Sequence, residues 1–197
     1  MAVWPPAELV ETLAGLERPQ AKGLRWTTRD QWHVTLRFLG SVEEYEFEAL
    51  AGALGGVAGE LQSGDAERPL TVVAGPGPRA FGRGVWVLPV AGLEGLAGVV
   101  EGLVGAAGDA GPAGGAGPAG GAGSSPAGGA GSLSAAEGHT RPFHGHLTLA
   151  RAKHPSLLRG LPRPAISCSW EVYEVTLVNS TLHPEGARYE VLERWRL

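Results

Sequence analysis

The sequence predicts a pseudo-duplicated α+β fold with two lobes, on three observations. A His-x-Thr-Leu cassette occurs twice, at His33–Leu36 and at His146–Leu149. Each cassette sits in a stretch whose apolar residues alternate as in a strand, with further antiparallel strand candidates around it, so the second part of the chain echoes the first. Segments of helical periodicity separate the strands of the first part.

With 197 residues the chain can bury a real core without staples. The single cysteine, Cys168, can form no internal disulfide, and the N-terminus has no basic stretch leading into an apolar one, which together suggest a cytoplasmic protein. Gly, Pro or charge interrupts every apolar run before the roughly 20 residues of a membrane span. A formal net charge of −4 argues against a protein that tracks along many phosphates, because that mode needs clustered Lys and Arg. Any nucleic acid would be gripped locally.

Along the chain, Met1–Trp4 reads as the end of a short first strand. Pro5-Pro6 then opens a helix to about Glu17, with Leu9, Leu13 and Leu16 at helical spacing. Trp32 to Leu39 alternates as a strand and stops at Gly40. Ser41, with Glu44 three residues on, gives a capping-box signature for a second helix to about Leu61. Strands are expected at Leu70–Ala74 and Gly84–Val90 around a Gly75-Pro76-Gly77-Pro78 turn, and a helix from Leu93 to Val104. From Gly102 to Gly123 glycine stands at every third position, but proline is sparse and Pro126 breaks the phase. A flexible Gly/Ala/Pro-rich insertion over 105–138 fits better than collagen. Strands then follow at Gly145–Ala150, Ser169–Val178 and Arg188–Trp195, with a turn at His183–Gly186. Residues 1–104 and 139–197 therefore form one domain around the insertion.

The cassettes carry chemistry because strand side chains alternate. His33 and Thr35 emerge on one face, with Val34 and Leu36 opposite; His146 and Thr148 repeat the pattern against Leu147 and Leu149. Side by side, the two strands would offer two imidazoles and two hydroxyls to one ligand. An imidazole titrates near pH 6.5, so one neutral His can take a proton from water while a charged one delivers a proton to a leaving oxygen. Each role is typically worth about 10²–10⁴-fold. Thr35 and Thr148 can donate to non-bridging phosphate oxygens, and the chemistry requires no metal.

The blocks Trp32-His33-Val34-Thr35-Leu36-Arg37-Phe38-Leu39-Gly40, Arg141 to Arg151, and Arg188-Tyr189-Glu190-Val191-Leu192, with Val3-Trp4-Pro5-Pro6, resemble the bacterial and archaeal RNA 2',3'-cyclic phosphodiesterases. These are also called 2'-5' RNA ligases and belong to the two-histidine phosphoesterase superfamily. The resemblance implies antiparallel sheets lining a central cleft, helices outside, and hydrolysis of a terminal 2',3'-cyclic phosphate to a 2'-phosphate. It assigns His33 as proton donor to the departing 3' oxygen and His146 as proton acceptor from water, with no cofactor. The implied partners are RNA 3' ends, without membrane or obligate protein partner. The lack of heptads favours a monomer. Two departures from the family are the short start of the first strand and the long insertion.

Arg37 shares the parity of His33 and is a possible phosphate ligand. Arg151 has the parity of Leu147 and reaches the ligand only if the strand ends or bulges near Ala150. His144, on the His146 face, is expected to support the site; with His139 it also invites a metal reading, which no neighbouring Asp, Glu or Cys completes. His154 and His183 read as surface residues, Phe38 by parity as core, and Trp32 and Phe143 as weaker base-stacking candidates. The alternatives are a phosphodiesterase for a small cyclic nucleotide or ADP-ribose cyclic phosphate, a non-catalytic RNA-end binding module, and, remotely, a metal-dependent oxygenase.

Overall fold

A computed structural model of the chain describes residues 1–40, 42, 44–57, 59, 70–109, 142–183 and 186–197. Among these, the strands are β1 (Ala2–Val3), β2 (Leu24–Trp26), β3 (Val34–Thr35), β4 (Leu70–Ala74), β5 (Arg79–Phe81), β6 (Val85–Ala91), β7 (His146–Ala152), β8 (Cys168–Val172), β9 (Glu174–His183) and β10 (Gly186–Arg196). The helices are α1 (Ala7–Ala14), α2 (Glu44–Leu54) and α3 (Glu94–Asp109), with single 3₁₀ turns at Arg29–Gln31 and Pro155–Leu158.

All pairings are antiparallel, and the strands follow the order β10-β9-β1-β3-β7-β6-β4-β8, with β2 added to β7 and β5 to β6. Four strands of that order thus lie on each side of the seam between β3 and β7, and each cassette stands on one side of it. The lobes do not coincide with the halves of the sequence. The C-terminal hairpin β9–β10 crosses back to β1, where Thr176 pairs with Ala2, and completes the first lobe.

The core lies on the face opposite the cassette histidines. Leu9 and Leu13 of α1, Leu50 and Leu54 of α2, and Leu93, Leu96 and Val100 at α3 close over Val34, Leu36, Leu147 and Leu149. At about 25 cal/mol per Å² of apolar surface removed from water, this layer is the main force holding the seam together.

Several elements differ from expectation. Helix α1 stops at Ala14, where Gly15 takes the cap, rather than at Glu17. Helix α2 begins at Glu44; Ser41, its expected cap, lies outside the described residues. Helix α3 extends to Asp109, five residues into the stretch expected to be insertion, and 110–138 lie outside the described residues, as do His139 and Arg141. The expected strand over Ser169–Val178 is two strands, β8 and β9, broken at Tyr173. The expected strand Trp32–Leu39 is reduced to Val34–Thr35, because β1 supplies only Ala2 and Val3 as partners. The ladder then trails off through Leu36 N–H to the Met1 carbonyl and the Met1 ammonium to the Arg37 carbonyl. With the strand finished, parity no longer governs Phe38, and this expected core residue is 76% exposed. Trp32, expected as a stacking platform, is 2% exposed and belongs to the core.

Candidate active site

The seam fixes the cassettes relative to each other. Val34 pairs with Leu147 in antiparallel register, and both side chains are fully buried. Extending that register by one residue each way sets His33 opposite Thr148 and Thr35 opposite His146, all four on the face away from the core. Directly opposed Cβ atoms in such a ladder are about 5 Å apart and diagonal ones about 7–8 Å, so the diagonal pair His33 and His146 can bracket one phosphate. The motifs are related by a local two-fold through the Val34–Leu147 pair, which gives chemical form to the duplication seen in the sequence.

The two imidazoles have different surroundings. His33 is wedged between Trp4, 5.5 Å away between ring centroids, and the edge of Tyr189 at 4.5 Å. Burial lowers its pKa from 6.5 to about 4; the nearby Gln31 carbonyl opposes the shift, while the N-terminal ammonium and His146 reinforce it. The Gln31 contact does not reach good hydrogen-bond geometry, and Nδ1 of His33 is buried without a partner. His146 is held differently. Its Nδ1 lies 2.7 Å from the His144 carbonyl oxygen, so Nδ1–H donates and Nε2 keeps its lone pair free to accept a proton. Phe81 packs on the ring at 4.8 Å. His144 meets His146 through its backbone carbonyl, and its exposed ring is 6.1 Å from Phe81.

The strand carrying His146 and Thr148 is irregular at an informative place. Thr148 pairs with Val87 and Ala150 with Trp86, leaving Leu149 as a bulge residue on β7. Leu149 and Ala150 are both buried, and Arg151 emerges exposed, returned to the His146 face. The break that Arg151 needed is therefore present. Thr27, just after β2, secures the bulge: its hydroxyl lies 2.7 Å from the Thr148 carbonyl and 2.8 Å from that of Leu149, and it accepts a 2.9 Å bond from Trp32 Nε1. Its own N–H donates to Leu149 O at 2.9 Å. Gly145 starts β7 where a Cβ would stand 2.4 Å from the Val90 carbonyl oxygen, so only glycine lets the strand approach β6 this closely.

The turn before His33 is braced from two sides. Arg29 pairs with Glu11 of α1, and Gln31 donates from Nε2 to Ala187 O of β10 at 2.7 Å while its Oε1 accepts from Thr28 N–H at 3.1 Å. Arg37, by contrast, directs its guanidinium to Glu101 of α3 at 2.7 Å, past the end of β3. Phe143 is half-buried against the core. His154 and the strand end His183 are exposed. Sequence reasoning missed Trp4, Thr27, Phe81 and Tyr189. The Thr28-x-x-Gln31 capping pattern was a readable signal for the turn, whereas the others depend on contacts across the sheet. Among the described residues, no three His, Cys, Asp or Glu side chains converge as a metal site, and no helix is long and apolar enough to cross a membrane.

Two groups of antiparallel strands joined along a seam each present a His-x-Thr pair, both on the face away from the core. The family model described as LigT like Phosphoesterase matches residues 3–66, which include the first cassette. An RNA 2',3'-cyclic phosphodiesterase of Thermus thermophilus is 40% identical over 60 residues, a match spanning 30% of this chain and 29% of that relative. The crystal structure of TT0787, also from Thermus thermophilus, superposes with a TM-score of 0.70 at 25% identity, covering 100% of this chain and 95% of the other. Escherichia coli LigT complexed with 3'-AMP superposes at 0.61 with 23% identity, covering 100% and 94%, and shares the fold. The chain thus resembles the LigT-like phosphoesterases in sequence over its N-terminal third and in fold throughout.

Proposed function

We propose that the protein hydrolyses the terminal 2',3'-cyclic phosphate of RNA to a 2'-phosphate by acid and base catalysis from two histidines, without a metal in the chemistry. The observation that carries this reading is the Val34–Leu147 register, which gathers His33, Thr35, His146 and Thr148 on one face. The curated relative, an RNA 2',3'-cyclic phosphodiesterase, supports the substrate class.

In this mechanism the cyclic phosphate lies between the cassettes, with Thr35 and Thr148 donating to its non-bridging oxygens. His146, its Nδ1–H held by the His144 carbonyl, takes a proton from water at Nε2. The hydroxide forms a bond to phosphorus as the bond to the ribose 3' oxygen breaks, and His33 supplies that oxygen with a proton. Burial favours the neutral form of His33; a phosphate anion beside it favours the charged form, so substrate itself arms the acid. Arg151 contributes positive charge from the same face, and Arg37 does so only if it leaves Glu101. The protein acts as a cytoplasmic monomer, with the Gly/Ala-rich stretch beyond α3 as an insertion in one catalytic domain.

The test is an oligonucleotide ending in 2',3'-cyclic phosphate incubated with the protein in excess chelator. Conversion to the 2'-phosphate is expected. An RNA end that binds but is never converted, or conversion abolished by the chelator, would overturn the proposal.

A further inference from the structure

The bulge that returns Arg151 to the cassette face also brings it into register with a second arginine. Arg25 of β2 pairs directly with Arg151, and both are exposed. Like charges directly opposed across a ladder destabilise it, and among the described residues no carboxylate pairs with either. The Arg25 side chain reaches the turn that leads into His33. A Cβ on Gly186 would stand 2.7 Å from Gln31 Nε2 and 3.0 Å from Arg25 Nη1, so the guanidinium lies beside the same glutamine that braces the turn. The spacing from the catalytic centre follows from β6, where Thr148 faces Val87 and Arg151 faces Val85. Two strand residues separate the two levels, about 7 Å, a distance comparable to one step of a polynucleotide backbone.

We infer that Arg25 and Arg151 form a second anion subsite that takes the internucleotide phosphodiester next to the reacting end, so that the cleft selects a polynucleotide end over a cyclic mononucleotide. The inference rests on the proposed reaction for its catalytic readout and assigns Arg25 as a specificity-determining residue. A planar guanidinium pair suits a phosphodiester because each can donate two parallel N–H groups to its oxygens. A cyclic mononucleotide has no phosphate to place there.

The experiment compares kcat/KM for a dinucleotide ending in 2',3'-cyclic phosphate with that for the cyclic mononucleotide, in wild type, Arg25→Ala, Arg25→Gln and Arg25→Lys. The expected result is a fall of about tenfold in the dinucleotide-to-mononucleotide ratio for Ala and Gln, carried by KM, a smaller fall for Lys, and a weaker salt dependence for the dinucleotide alone. Because two like charges are separated, the melting temperature should not drop. Equal losses on both substrates, or an unchanged ratio, would overturn the subsite. Binding of a dinucleotide 3'-phosphate and a mononucleotide 3'-phosphate to His146→Ala, with and without Arg25→Ala, reads the same contrast without turnover. If wild type converts neither substrate, the proposed reaction fails while this binding ratio still decides the subsite: a fall supports it and no change refutes it.

Discussion

Replacing Thr27 with Val tests whether the bulge in β7 is held as described. The substitution preserves shape and removes one hydroxyl. That hydroxyl accepts the indole N–H of Trp32, a side chain 2% exposed, and reaches the carbonyls of Thr148 and Leu149. Leu149 O retains the Thr27 N–H, so the principal losses are the indole donor and the Thr148 carbonyl. An unsatisfied buried polar group costs about 1–3 kcal/mol; with partial relaxation, a total near 2–3 kcal/mol is expected. Urea unfolding followed by tryptophan fluorescence would show it as a midpoint lower by about 1 M, taking a slope of about 2 kcal/mol per M for a protein of this size. The slope should stay constant, and kcat should fall because Thr148 loses its support. A midpoint within about 0.2 M of wild type would refute the argument that Thr27 anchors the bulge.

Three further outcomes follow from the site. His33 has a folded pKa of about 4 against 6.5 unfolded, so the unfolded chain binds more protons between these values. Stability is then full above pH 6.5 and falls by up to about 3 kcal/mol as the pH drops to 4. His33→Gln should remove that part of the acid sensitivity in pH-dependent urea titrations, and an unaltered pH dependence would refute the burial argument. In kinetics, the alkaline limb of kcat/KM, which reports the free enzyme, should lie at lower pH than that of kcat, because bound phosphate favours charged His33; coincident limbs would contradict substrate arming of the acid. Gly145→Ala drives a Cβ to 2.4 Å from the Val90 carbonyl oxygen, which must break the Val90 N–H to Gly145 O bond at the start of β7. A loss of about 1–3 kcal/mol on thermal unfolding, with a larger fractional loss of kcat, is expected; wild-type kcat would show that the strand start does not position His146.

The placement of the two cassettes on one face was legible in the sequence because it rests on alternation, which a strand imposes wherever it pairs. His33, Thr35, His146 and Thr148 fall together by parity, and the one stated condition on Arg151, a break near Ala150, is met by the bulge. Alternation misleads once the strand ends, as Phe38 shows. The surroundings of the histidines were not legible, since Thr27 reaches Thr148 across 121 residues and Tyr189 reaches His33 from a hairpin that crosses to the first lobe. Strand β2 has three residues, too few to display a period. The spans of β4 and β6, bounded by Gly and Pro turns, were readable to within a residue.

The claim at the centre of this account is that the cassettes form one site, and a double-mutant cycle on single-turnover hydrolysis of a 2',3'-cyclic phosphate end measures it most directly. His33→Ala and His146→Ala should each slow the chemical step by about 10²–10⁴-fold. The double variant should fall well short of the product of the two losses, because groups acting on one phosphate fail as a unit. Full activity in either single variant, or losses that simply multiply, would contradict the shared site.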